Sequence, residues 1–141
     1  NFNYTNKEID KMLIDIKKIK RLGINEIVLG ALDRNNSIDL NLMQVFSNEA
    51  SPMSITFHKA IDFTFDIKNE IKKLSKFKNV KSILTSGGAT TAEKGKNKLK
   101  EIIDTFEGRF QVIIAGSVTK NNLNELHAFI KGKEYHGRKI V

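Results

Sequence analysis

Residues 80–116 read VKSILTSGGATTAEKGKNKLKEIIDTFEGRFQVIIAG, and they contain one full repeat of the pattern that organises this chain. The stretch begins with a short segment, Val80 to Leu84, which carries apolar residues at both ends and is predicted as a strand. Apolar residues then recur at helical spacing until Gly108, which is a typical helix stop. A short apolar run, Phe110 to Ile114, follows. The stretch therefore predicts a strand, a helix and a further strand.

The same alternation extends to both sides of this stretch. A leading amphipathic helix is predicted over residues 5–22, with Thr5 and Glu8 as a capping box. Four further helices are predicted to begin at Asp39, at Asp66, at Thr91 or Ala92, and near Asn121. The predicted strands are Glu26 to Leu32, Ser54 to Phe57, Val80 to Leu84, Phe110 to Ile114, and Glu134 to Val141. Such alternation indicates an α/β fold with about five parallel strands.

The pattern leaves two ways to arrange these strands, an open doubly wound sheet or part of a TIM (β/α) barrel. The chain has 141 residues, whereas a whole barrel typically needs about 250. We expect one domain over residues 1–141, with adjacent parallel strands in sequential order as an arc of a barrel. A partial barrel leaves both outer strands with unpaired backbone groups. We therefore expect self-association into a homo-oligomer, closure by a partner, or marginal stability.

Composition limits the classes of function. The chain carries 24 lysines and arginines and a net charge of +8, but these residues are spread along its whole length. Nucleic-acid readers concentrate basic residues on one face with interleaved aromatics, so nucleic acid is not expected as a partner. Cys is absent, which rules out thiolate metal sites and Cys catalysis in this chain. No apolar run is long enough to cross a membrane, and the cytoplasm is the expected location.

The segment TFHKAID, residues 56–62, is the first that could carry chemistry. In parallel sheets, function sits at the carboxyl ends of the strands, which is where this segment falls. His58 could act as a general base, a metal ligand or an anion contact, or it could simply bond to the backbone. In an enzyme, Lys59 would stabilise negative charge and Asp62 would orient either neighbour.

Two glycine-containing turns follow the next two strands. Thr85, Ser86, Gly87 and Gly88 form the first, and Gly116 and Ser117 belong to the second. Each is expected to stand directly before a helix N-terminus, where free amides favour an anion. Tight strand–helix turns also use glycine for geometry alone. Together the turns predict a cradle for a phosphate or carboxylate group.

Metal binding has weaker support in the residues. His136 lies on the last predicted strand and could join His58 as a copper ligand. His127 lies within the last predicted helix and is interpreted as structural or solvent-facing. The three methionines are scattered, and two of them take core-facing helical positions.

The motifs FHKAID at residues 57–62 and ILTSGG at residues 83–88 resemble those of the CutC copper-homeostasis protein family. The stretches LGINEIVLG at 22–30 and SID at 37–39 are similar to that family as well, so the resemblance covers essentially the whole chain. It implies a TIM-barrel fold and a role in copper handling in the cytoplasm, with copper as the implied ligand. It also implies that this chain corresponds to strands four to eight, without the family's first three strands.

The chain departs from the family pattern at three places. Lys59 stands where Arg is usual, which weakens bidentate anion binding. Ala115, Gly116 and Ser117 stand where three glycines are common, and residues 137–139 replace a small-residue ending. Two functions therefore remain open. One is copper binding as the resemblance implies, and the other is an enzyme or binder acting on a small phosphorylated or carboxylated metabolite.

Overall fold

The structure is a computed structural model that describes residues 1–138 and 140. Its strands are β1 (Glu26–Leu29), β2 (Ser54–Phe57), β3 (Val80–Thr85), β4 (Gln111–Val118) and β5 (Glu134–Gly137). Its α-helices are α1 (Asn6–Arg21), α2 (Leu40–Ala50), α3 (Ile67–Lys73), α4 (Lys96–Phe106) and α5 (Leu123–Ile130). Two short 3₁₀ helices, Lys59–Phe63 and Leu74–Lys76, flank α3.

All five strands are parallel and lie in the order β1-β2-β3-β4-β5. This order confirms the predicted α/β fold with sequential strands, and the reversal expected of a doubly wound sheet is not found. Within the described residues, β1 pairs only with β2 and β5 pairs only with β4. Both edges of the sheet are therefore open in this part of the chain.

Local signals set most helix ends as the sequence predicts. Thr5 and Glu8 form the capping box of α1, and Gly23 follows its end with a φ of 79°. Asp39 and Asp66 cap α2 and α3 by accepting from backbone N–H groups three residues ahead. These caps stabilise their helices because they satisfy amides that have no partner within the helix.

The two faces of the sheet differ in their covering. Ile27, Leu29, Ile55, Phe57 and Ile83 lie on one face and pack with helix residues in the main core. A smaller core joins β4 to α4 and α5. The opposite face, which we call the inner face, carries Glu26, Val28 and their strand partners Ser54 and Thr56. Val28 is 61% exposed, so the inner face is open at β1.

The amino ends of the strands are held by Arg109, which precedes β4. Its guanidinium donates to the carbonyl oxygens of Val80 at 2.9 Å and Phe77 at 3.0 Å, and it stacks on the Phe110 ring. Burial lowers the pKa of Arg109, which stays charged because a guanidinium ionises far above neutral pH. This contact ties the entry of β3 to the entry of β4.

Several predicted boundaries were wrong, and they lie at the carboxyl ends of the strands. The strand β1 ends at Leu29 rather than Leu32, because the chain turns there and Leu32 forms an antiparallel bridge with Ile38. The strand β5 covers Glu134–Gly137, and Lys139 and Val141 of the strand predicted to Val141 lie outside the described residues. The sequence also did not predict the 3₁₀ helix that follows β2 directly.

Two further corrections concern the glycine-containing segments. The helix α4 begins at Lys96, not at Thr91 or Ala92, because the preceding residues fold back and Ala92 N–H donates to the carbonyl of Gly116 at 2.8 Å. The strand β4 continues to Val118, so Gly116 and Ser117 lie in a strand with irregular register rather than in a turn before a helix. Neither segment stands directly at a helix N-terminus.

Candidate functional site

The site lies at the carboxyl ends of β2 and β3, where Lys59 and Asp62 of the FHKAID motif meet the TSGG segment. Directly after β2 the chain enters the 3₁₀ helix Lys59–Phe63, with His58 as its N-cap. This tight helix turns Lys59 and Asp62 toward β3, where Thr85 and Ser86 end the strand. We call this end of the sheet the rim.

The Asp62 carboxylate is the centre of the rim. Its oxygens accept from the Thr85 hydroxyl at 2.5 Å, from the Ser86 amide at 3.1 Å and hydroxyl at 2.9 Å, and from the Gly88 amide at 2.9 Å. The Lys59 ammonium adds an ion pair at 2.8 Å, and the Asp62 side chain is only 7% exposed. Two of the amides expected to cradle an external anion, those of Ser86 and Gly88, are therefore bonded to the chain's own carboxylate.

Lys59 is held in one position by two partners. Its ammonium donates to Asp62 Oδ2 at 2.8 Å and to Ser86 Oγ at 2.5 Å. The Ser86 hydroxyl in turn donates to Asp62 or to the carbonyl of Ala89 at 2.6 Å. Ser86 is fully buried, so it orients Lys59 and has no access to a ligand. An ammonium has three N–H donors, and the described residues occupy two of those of Lys59.

The β4 segment packs against this network. At Gly116 φ is 104°, and a Cβ there would lie 2.8 Å from the Cβ of Ser86, so only glycine fits without a shift. Ser117 has a φ of 57°, which is strained for a residue with a side chain, and it is exposed. Asn122 stabilises this conformation because its amide donates to the Ser117 carbonyl at 2.9 Å. The two glycine-containing segments are thus in contact, as the sequence predicts.

His58 lies on the other side of β2, toward β1. Its ring centroid is 4.7 Å from that of Phe2, and Nδ1 accepts from the Ala60 amide at 3.2 Å. Burial lowers the pKa of His58, while a hydrogen bond with its own backbone opposes this in part. A Cβ on Gly30 would come within 2.9 Å of the ring, which accounts for glycine at that position. The structure does not place His58 beside Lys59 and Asp62.

The two histidines considered as copper ligands lie in different parts of the sheet. His58 directly follows β2 and faces β1, whereas His136 is exposed on β5. The strands β3 and β4 lie between β2 and β5. At about 4.8 Å between neighbouring strands, β2 and β5 are about 14 Å apart, too far for one metal ion. Within residues 1–138 and 140 there is no cluster of three His, Asp or Glu side chains suited to a metal ion. The described residues do not fit a copper site.

Two contributors to the rim were not predicted. Phe2 packs on His58, and the Tyr4 hydroxyl donates to the carbonyl of Gly30 at 2.9 Å. In the sequence, Gly30 is marked only by its position directly after an apolar strand. No sequence signal marks Phe2. Their contacts join residues 26 or more positions apart, which spacing rules cannot detect.

The order of strands and the polar rim at their carboxyl ends define a β/α-barrel type of protein with a site in the usual place for that fold. Comparison with known proteins specifies the family. The CutC family model matches residues 1–141, and this chain belongs to the CutC family. The match confirms the kinship predicted from the FHKAID and ILTSGG motifs.

Individual relatives agree with the family match. A CutC family protein of Parabacteroides distasonis is 33% identical over 142 residues, covering 99% of this chain and 58% of the relative. One from Glaesserella parasuis is 35% identical over 135 residues, covering 96% of this chain and 55% of the relative. The chain thus spans little more than half the length of these relatives.

A solved structure supports the fold. The crystal structure of the copper homeostasis protein CutC from Streptococcus agalactiae, so named, superposes with a TM-score of 0.93 at 26% identity. The superposition covers all of this chain and 69% of the other. The described residues contain no helix long and apolar enough to cross a membrane.

Proposed function

We propose that this chain binds a small phosphorylated or carboxylated metabolite at the rim, with Lys59 as the residue that contacts its anionic group. One observation carries the proposal. The Lys59 ammonium is fixed by Asp62 and Ser86 while its side chain remains 38% exposed. Its third N–H is free for a ligand within the described residues. A cation fixed at the carboxyl ends of the strands lies where β/α barrels bind their ligands, and it can stabilise a negative charge there.

The charge of Asp62 does not cancel that of Lys59. Two amides and the Thr85 hydroxyl donate to the carboxylate, and the Ser86 hydroxyl does so when it does not donate to Ala89. The ammonium is therefore only one of several donors to Asp62. A ligand acceptor can therefore bind Lys59 without displacing Asp62. The exposed Ser117 hydroxyl, on the neighbouring strand β4, supplies a further polar contact in this proposal. Thr85, Gly87 and Gly88 shape the segment that holds Asp62.

A melting experiment with phosphate tests this role. Phosphate should raise the melting temperature of the whole chain more than chloride at equal ionic strength, because a ligand that binds only the native state stabilises it. Lys59→Ala should remove most of that shift, and Ser86→Ala should weaken it because Lys59 loses one of its two anchors.

Lys68→Ala is the matched control. Lys68 is also ion-paired, to Glu101 at 2.9 Å, and is 35% exposed, but it lies on α3. It should retain the full phosphate shift. Equal loss in Lys59→Ala and Lys68→Ala would mean that phosphate acts through general charge, and the proposed site would be wrong.

Copper binding in the cytoplasm is the second candidate, and it rests on the name of the Streptococcus agalactiae protein and the family resemblance. Copper would be cargo here, held by His58 or His136 with ligands from outside the described residues. The same melting series with Cu(II) and with Cu(I) under reducing conditions separates the two candidates. A strong shift with copper and none with phosphate would favour the metal.

A further inference from the structure

The imidazole of His58 is held on three sides. The ring is 4.7 Å from the Phe2 ring and 5.8 Å from the Phe57 ring, measured between centroids. On its third side the backbone of Gly30 approaches so closely that a side chain there would meet Cε1 and Nδ1 at 2.9 Å. The ring therefore packs between two aromatic side chains and the backbone that directly follows β1.

One backbone contact determines which ring nitrogen carries the proton. The Ala60 amide donates to Nδ1 at 3.2 Å, which requires an unprotonated Nδ1 in the neutral ring. The hydrogen bond with the backbone of His58 itself, which raises the pKa, belongs to the charged ring. In a neutral imidazole the proton then lies on Nε2. Within residues 1–138 and 140, Nε2 has no hydrogen-bond partner, and no buried side-chain nitrogen in that part of the chain lacks one. Nε2 is therefore not fully buried, and its proton lies where a ligand acceptor can reach it.

We propose that His58 is a neutral hydrogen-bond donor, whose Nε2–H contacts an acceptor oxygen of the ligand from the β1 side of the rim. The contact with ligand rests on the proposed function, whereas the position of the proton does not. The lowered pKa of His58 agrees with a neutral ring, because burial disfavours the charged form.

This assignment removes two other roles from His58. A metal binds an unprotonated ring nitrogen, and the Ala60 amide already occupies the one that His58 has. A general base likewise needs a free lone pair, and Nε2 has none while it carries the proton. Copper binding or proton abstraction by His58 would require the 3₁₀ helix Lys59–Phe63 to release its N-cap.

Nitrogen chemical shifts of the histidine rings test the proton position directly. A protein with nitrogen-labelled histidine, at neutral pH and without ligand, should show Nδ1 of His58 as the unprotonated nitrogen and Nε2 as the N–H. His58→Phe assigns the signals and keeps the aromatic packing. A proton on Nδ1, or rapid exchange between the two tautomers, would overturn the proposal.

A metal titration of the same sample gives a second readout. On addition of Cu(II), the exposed His136 ring should broaden first and His58 last. Earlier broadening of His58 than of His136 would show that its lone pair is accessible, and would also overturn the assignment.

Inorganic phosphate then tests the ligand contact. Removing a donor to a charged group should weaken phosphate binding by about tenfold or more in His58→Phe. His127→Phe is the control, because His127 is also paired through Nδ1, to the Tyr135 hydroxyl at 3.0 Å, but on α5. Equal phosphate affinity in wild type and His58→Phe would overturn the contact. Absence of phosphate binding in the wild type would overturn the proposed function, while the proton position is decided by the nitrogen shifts alone.

Discussion

Asp62 joins two parts of the chain that are more than 20 residues apart, because one carboxylate accepts from donors on the 3₁₀ helix and on the TSGG segment. Its ionised oxygens accept without donating, which suits a position surrounded by N–H and O–H groups. Asparagine has nearly the same shape, but its NH₂ group would face one of those donors. The charge and the acceptor count, rather than the volume, make Asp62 necessary.

We predict that Asp62→Asn lowers the free energy of unfolding by about 2–3 kcal/mol, the cost of leaving a buried donor unsatisfied. Urea denaturation at neutral pH measures this value. Asp66→Asn is the control, because Asp66 caps α3 by accepting from Asn69 and asparagine caps about equally well. Equal stability of Asp62→Asn and wild type would show that the observed bonds contribute little.

For single residues, the sequence predicted which ones have a structural or functional role. It did not predict their hydrogen-bond partners when those lie far away in the sequence. The caps Thr5, Asp39 and Asp66 act on amides three residues ahead, so spacing alone locates them. The bonds of Asp62 join positions 23 to 26 residues apart, and only the folded chain brings them together. His58 is a related case, because its strand-end position predicted chemistry while its ring nitrogens depend on local contacts.

Among the elements, α3 is joined to the loop after β1 by Glu70. Its carboxylate accepts from the Ile38 amide at 2.8 Å, from the Ser37 hydroxyl at 2.8 Å and from Lys73 at 2.6 Å. Burial acts to raise the pKa of Glu70, but these three donors together outweigh burial and lower it. Ionised Glu70 therefore stabilises the native position of the loop.

The pH dependence of stability follows from the lowered pKa of Glu70. Because the pKa of Glu70 is lower in the folded than in the unfolded chain, its contribution is complete above the unfolded pKa of about 4.3 and is lost as pH falls through the folded value. The stability difference between wild type and Glu70→Gln should shrink as pH decreases from about 6 to about 3. Urea denaturation across this range measures it.

Ser37→Ala serves as the control for Glu70, because it removes one donor and keeps the carboxylate. This variant should retain most of the pH dependence. A constant difference between wild type and Glu70→Gln at all pH values would contradict the role of the ionised carboxylate.

Element boundaries show the same division between local and distant causes. Apolar spacing predicted every strand and helix of the alternation, since a buried face imposes its period on the sequence. The predicted start of α4 was wrong because the Ala92 amide donates to the carbonyl of Gly116 on β4. This contact competes with helix formation from Thr91. The predicted end of β4 was wrong for a related reason. Gly116 packs closely against Ser86, and the strand continues through it.

For the whole molecule, the open edges and the open inner face predict self-association. Within the described residues β1 and β5 each have one free side, and Val28 exposes an apolar side chain next to the edge. Unpaired parallel edges are sites where a second copy can add. We propose that two or more copies associate through this region.

Sedimentation velocity at micromolar concentration tests this association. The wild type should sediment as a dimer or larger species, and Val28→Lys should shift it toward monomer, because a charge is costly to bury in an interface. Val45→Lys is the matched control, since Val45 is 45% exposed but lies on α2. A monomeric wild type over the whole concentration range would contradict the proposal.

The position of Arg109 has a consequence for how such a chain can change over evolutionary time. Its bonds to the carbonyls of Val80 and Phe77 lie at the amino ends of the strands, opposite the rim. Conformational stability is thus supplied in part by contacts at the end of the sheet opposite the rim. The stability from these contacts does not depend on the rim. Substitutions at Ser117 or His58 can therefore change the specificity of the rim before the fold is lost.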